Sequence, residues 1–234
     1  MESLRSTARR AGMYYVLVAI LTPFVLLYVP GQLYVAGDAS ATVANIAANQ
    51  HLFVASILVG LFSQVLFVLV ILALYRLLKS VDEPLAIVMA AFILLQVPLS
   101  LVAMSNEVAT LQFIRDGAAF SVFSAPERET LIMFMVGVDR QGVLVSQFFW
   151  GLWLLPLGIL VIRSKFLPSF LGLWLILNGL AYIALTVIGL VTPELRERAF
   201  TLAIPLMFGE LALALWLLIV GIRVKKQKTA DANR

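Results

Sequence analysis

Six apolar stretches, each long enough to cross a bilayer as a helix, constrain this chain more than any other feature. They lie at about 11–29, 52–75, 85–106, 141–162, 169–191 and 199–222. A hydrocarbon core about 30 Å thick takes about 20 helical residues to cross. Lipid offers no partner to a backbone N–H or C=O, so a spanning segment must be a helix or part of a closed barrel. Barrel strands alternate in polarity, and runs such as Val65–Leu74 do not. The expected fold class is all-α, a polytopic membrane protein built as a six-transmembrane-helix bundle. The connections are short, so residues 1–234 read as a single integral membrane domain. Composition agrees, with 62% hydrophobic and 13% charged residues, against roughly half and a quarter in soluble domains. An ordinary soluble enzyme, a disordered chain and a nucleic-acid-binding module are excluded.

The charged minority sets the expected topology. With the N-terminus inside, the inner segments hold Arg5, Arg9, Arg10, Arg76, Lys79, Arg163, Lys165, Arg223, Lys225, Lys226, Lys228 and Arg234, and the outer ones Arg115, Arg128, Arg140, Arg196 and Arg198. Lys/Arg excess marks the cytoplasmic side, so both termini are expected to be cytoplasmic. The basic tail 223–234 is expected to rest on anionic headgroups. The first span reads as an uncleaved helix, because its apolar run is too long for a signal peptide and Ala39-Ser40-Ala41 lies well beyond it.

Two outer segments are expected to be helical at the surface, near 38–50 and 125–140. Asp38 and Ser40 are cap residues ahead of good helix formers. Ser124-Ala-Pro-Glu127 carries a capping box with Pro in the first turn. The second helix is expected to run straight into the fourth span.

Glu210 is the most informative residue. It lies near the middle of the sixth span, where a carboxylate is costly by at least ~2.5–3.5 kcal/mol. It must be protonated, paired, or exposed to a wet cavity. Pro205 removes a helix hydrogen bond to Thr201, and Gly209 allows close helix approach. Gln64, Gln96 and Asn178 are central in their own spans, and amides are natural partners of a carboxyl. Arg140, Gln147, Gly151, Leu154 and Gly158 share one face of the fourth span, and Gln96, Ser100, Ala103 and Glu107 one face of the third. Two readings stay open: these residues line a polar cavity ending at Glu210, or each makes one interhelical hydrogen bond and the small residues only pack. Glu107, His51 and Arg140 are the candidate rim, with Glu107 able to pair with Arg115, Arg140 or His51.

Familiar chemistry has few materials here. There is no Cys and one His, so thiolate chemistry and multi-histidine zinc sites are excluded. No nucleophile elbow, zinc-protease motif or phosphate loop occurs. No cofactor and no metal are expected. The expected partners are membrane lipids and a small-molecule or lipid ligand, with no nucleic acid.

Four stretches resemble a known family. They are Ala8-Arg-Arg-Ala-Gly12 with Pro23-Phe24 and Tyr28-Val-Pro30; Gly37-Asp-Ala-Ser-Ala-Thr42 with Asn45-Ile46; Gly151-Leu-Trp-Leu-Leu-Pro-Leu-Gly158 with Phe166-Leu-Pro168; and Gly209-Glu210 with Leu215-Trp-Leu-Leu218 and Gly221. In order and spacing the chain resembles the prokaryotic multispan membrane family known as domain of unknown function 4386. The resemblance implies a protein of a prokaryotic cytoplasmic (inner) membrane. It implies recurrence of Gly209-Glu210 in relatives and no assigned activity.

The leading expectation is binding, with translocation as its extension, of a small or lipid-like molecule in an outward-opening intramembrane cavity. Glu210 is its anchor, and Gln64, Gln96, Asn178 and Gln147 its lining. The alternative is a structural or assembly protein without ligand. The third is an intramembrane lipid-modifying enzyme, which would need Glu107 and Glu210 to meet.

Overall fold

The computed structural model describes residues 4–115 and 120–222 and is all-helical among them. The basic tail at 223–234 lies outside the described residues. The elements are α1 (Leu4–Pro23), a π turn (Phe24–Tyr28), α2 (Val29–Leu33), α3 (Ala39–Ala48), α4 (Gln50–Leu78), α5 (Glu83–Arg115), α6 (Ala125–Arg163), α7 (Ser169–Val191), a 3₁₀ turn (Pro193–Leu195) and α8 (Arg196–Ile219). Six units are long and apolar enough to cross a membrane: Leu4–Leu33, α4, α5, α6, α7, and Pro193–Ile219, which includes α8. Their outer faces bear large apolar side chains, including Leu202 at 80% exposure and Phe134 at 68%. In water such a surface would drive association; in lipid it is solvated.

Local chemistry explains the boundaries. Pro23 lacks the N–H that would continue the α ladder, and the next five residues take up the wider π register before α2. Asp38 caps α3, its Oδ1 accepting from the Ala41 N–H at 2.8 Å. The capping box at Ser124 forms: its N–H and its hydroxyl both donate to Glu127 Oε2 at 2.7 Å. From there α6 runs 39 residues without a break, about 58 Å at 1.5 Å per residue. That exceeds the hydrocarbon core, so its first turns extend past the ends of the other spans. α4, α5 and α6 all continue beyond the apolar limits read from sequence, because a helix ends at a cap and not where hydrophobicity ends.

Each spanning unit packs on its neighbours in chain order, and α8 returns to α1, closing a ring. The ring is filled at its centre by Tyr15, Phe67 and Trp153 from three different helices, with ring centroids 5.7–6.4 Å apart. The tightest seam joins α6 to α7. A Cβ on Gly151 would come within 2.5 Å of the Gly179 carbonyl oxygen, and one on Gly158 within 2.5 Å of the Gly172 oxygen. Glycines seven residues apart on two antiparallel helices therefore bring backbone against backbone. Thr186 extends the seam, its hydroxyl donating to the Leu144 carbonyl at 3.3 Å. Gly151 and Gly158, expected on a face with Gln147, thus serve packing.

α3 lies at the end of the ring where α2 finishes, packed on α2, α4, α5 and α6. Ile46 is fully buried there with Leu33, Phe53 and Val136. Ser40 Oγ donates to Glu129 Oε2 at 3.0 Å, tying α3 to the extended start of α6.

Candidate functional site

Glu210 sits nine residues before the end of α8, about 13 Å from that end of the ring. Tyr15 is eleven residues into α1, and Asn178 and Tyr182 are nine and thirteen into α7. α1 and α7 run opposite to α8, and the long Tyr15 side chain and the Asn178 amide both reach Glu210. The Tyr15 hydroxyl donates to Glu210 Oε2 at 2.5 Å. Asn178 Nδ2 donates to Glu210 Oε1 at 3.2 Å and reaches the Met207 carbonyl at 3.5 Å. The Tyr182 hydroxyl lies near the same carboxyl, close enough to interact with it electrostatically. An ionised carboxylate only accepts, and all three neighbours can donate. A neutral acid is also accommodated, because a phenol oxygen can accept the acid proton. The carboxyl therefore joins α1, α7 and α8 in either state.

The residues flanking Glu210 shape its surroundings. A Cβ on Gly209 would meet the Trp174 indole at 3.0 Å, so glycine there admits the tryptophan. Trp174 Nε1 donates to the Pro205 carbonyl at 3.2 Å. One turn along α7, Asn178 makes its own contacts with α8. α8 itself is continuous through Pro205.

Of the expected lining, Asn178 joins Glu210 directly. Gln64, Gln96 and Gln147 do not hydrogen-bond to it among the described residues. They share another property: the Oε1 atoms of all three, with Asn178 Oδ1 and Trp153 Nε1, are buried without a hydrogen-bond partner. Gln96 Nε2 donates to Ser100 Oγ at 2.6 Å within α5, leaving its oxygen unmatched. A buried polar atom without a partner costs about 1–3 kcal/mol, so five in one bundle interior form a distinct chemical feature.

The expected rim assembles differently. Tyr34, just past α2, lies with Glu107 and Asp139 close enough for electrostatic interaction. Arg140 stacks on the Tyr34 ring, its Cζ 5.1 Å from the centroid. Burial above all, then the carboxylates of Glu107 and Asp139, pushes the Tyr34 phenol above its ordinary range, with Arg140 opposing. Arg115 turns to Gln50, donating to its Oε1 at 3.0 Å. His51 is exposed at the start of α4. Glu107 and Glu210 belong to separate clusters.

Tyr15, Tyr182 and Trp174 were missed by sequence reasoning, which sought amides as carboxyl partners. A signal existed. A hydroxyl inside an apolar span needs an acceptor, and Tyr15 and Tyr182 both lie inside such spans.

Fold and composition together define a multi-pass helical membrane protein. The chain belongs to the family described as domain of unknown function (DUF4386), whose model matches residues 10–221. No curated protein and no solved structure matches it.

Proposed function

We propose that the helical ring binds a small or lipid-like molecule, and supports its translocation, in a polar cavity that opens outward and ends at Glu210. The reading includes a prokaryotic cytoplasmic membrane with both termini inside, following the Lys/Arg excess. The observation that most supports it is Asn178 Oδ1, fully buried and unpartnered on the residue that donates to Glu210. A hydroxyl or ammonium group placed against that oxygen lies beside the carboxyl, and both acceptors favour it. Gln147, Gln96 and Gln64 carry further unmatched oxygens, so the favoured ligand is rich in donors. Glu210 is neutral in the empty site and changes protonation when a cationic or donor ligand binds.

The test compares wild type and Glu210→Gln in nanodiscs, measuring thermal stabilisation by amphiphilic amines and alcohols across pH. Stabilisation whose pH profile differs between the two proteins is expected. Identical profiles overturn the reading.

A second reading is favoured by a specific observation: Glu210 is already bonded to α1 and α7. On that reading the polar residues only specify packing, and Glu210→Gln changes stability with no ligand effect. A lipid-modifying activity has less support, because Glu107 and Glu210 do not form a shared acid–base pair.

A further inference from the structure

We propose that an anionic phospholipid seats in the cleft between α1 and α8 at the ring end where the chain begins, its phosphate held by Arg5 and Arg9 and an acyl chain lying along Met13 and Leu218. This cleft, of about 340 Å³, is lined by Arg5, Ser6, Arg9, Arg10, Met13 and Leu218. Arg5, Arg9 and Met13 are spaced by four residues on α1, so they form one stripe along the helix. The stripe runs from two cations to an apolar side chain over about 12 Å. That is the polarity gradient of a phospholipid, charged at the headgroup and apolar below it.

Three observations narrow the occupant. Both arginines are exposed, and neither has an ion-pair partner among the described residues. Like charges four apart on a helix repel, and a phosphate between two guanidiniums, which bind it in fork geometry, relieves that repulsion. Second, the cleft borders a close helix contact. A Cβ on Gly12 would overlap the Leu218 backbone, so α1 and α8 touch beside Met13. Third, the turn after α8 passes beside Arg5. Gly221 adopts a positive φ of 72° and lies beside the stem of Arg5, a Cβ there falling 3.5 Å from Arg5 Cγ. A concavity between two helices, bordered by two cations without an ion-pair partner among the described residues, differs from basic side chains spread over a surface. This site shares no residue with the Glu210 cluster, and its test does not depend on the function proposed above.

The test is native mass spectrometry of the full chain released from nanodiscs containing phosphatidylglycerol and phosphatidylethanolamine. One phosphatidylglycerol retained per chain is expected for wild type. Arg5→Gln/Arg9→Gln is expected to lower retention at least tenfold. Arg76→Gln/Lys79→Gln, which removes the same charge from the same end of the ring, is expected to retain it. Equal loss in both variants would mean unspecific surface attraction and overturn the site, as would retention of phosphatidylethanolamine at the same level. Thermal midpoints in detergent give a reading that needs no variant. Phosphatidylglycerol should raise the wild-type midpoint where inorganic phosphate at equal concentration does not. Equal shifts by the two, or none by the lipid, overturn the proposal.

Discussion

The molecule holds two clusters of acids, and they solve the same problem in opposite ways. Partway along α8, Glu210 is met by donors from two other helices, Tyr15 and Asn178. Toward the end where α3 lies, Glu107 and Asp139 face one another beside Tyr34, with Arg140 stacked on the phenol. Each oxygen of the Glu210 carboxyl accepts from a side chain of another helix, as a carboxyl among apolar helices requires. Glu107 and Asp139 have no side-chain hydrogen-bond partner among the described residues, and each lies near the other's charge. The inner cluster is therefore structural in consequence whatever else it does, and the outer one is permissive.

Glu210→Ala should have the largest effect, because it strands two buried donors, Tyr15 and Asn178. A loss of about 3 kcal/mol in unfolding free energy is expected, measured by denaturation in mixed micelles. A loss below that of Glu107→Ala would break the contrast. Tyr15→Phe should cost about 1 kcal/mol, and a double-mutant cycle with Glu210→Gln should show the two effects to be coupled. Strict additivity would mean the hydrogen bond carries no stability. Glu107→Gln and Asp139→Asn should each change stability by less than about 0.5 kcal/mol at neutral pH, as exchanges near the headgroups do.

The smallest effect at neutral pH belongs to Tyr34, and it grows with alkalinity. Its phenol is raised in the folded state, so the unfolded chain loses that proton first, near pH 10. Its stability contribution is complete below that value and falls as pH rises toward the folded value. Tyr34→Phe should flatten this alkaline slope while leaving the curve near pH 7 unchanged. A slope that persists in the variant would place the titration elsewhere.

Much of the frame was legible in the chain. Apolar length located the six spans, and Asp38 and Ser124 announced the helix starts their caps now form. Glu210 stood out because it could not be placed at a surface, and Asn178 because an amide suits a carboxyl. Tyr15 was harder to see, since a tyrosine near a span end usually marks the interface. Gln64, Gln96 and Gln147 are at the right depth, yet whether they reach Glu210 depends on how each helix is rotated about its axis. These spans are apolar nearly all round, and such helices carry little information about rotation. The glycines at 151, 158, 172 and 179 were visible as small residues, but their pairing across α6 and α7 needed the register of one helix against the other.

What the sequence by itself determined was the solvent, the number of spans and the one acid that lipid could not leave alone. These follow from transfer free energies, which each residue contributes wherever it lies along a helix. The tertiary structure decided that the spans close into a ring, that Tyr15 rather than a glutamine joins Asn178 at Glu210, and that two arginines without an ion-pair partner among the described residues border a cleft. Those outcomes depend on helix rotation and register, which side chains settle only when they meet.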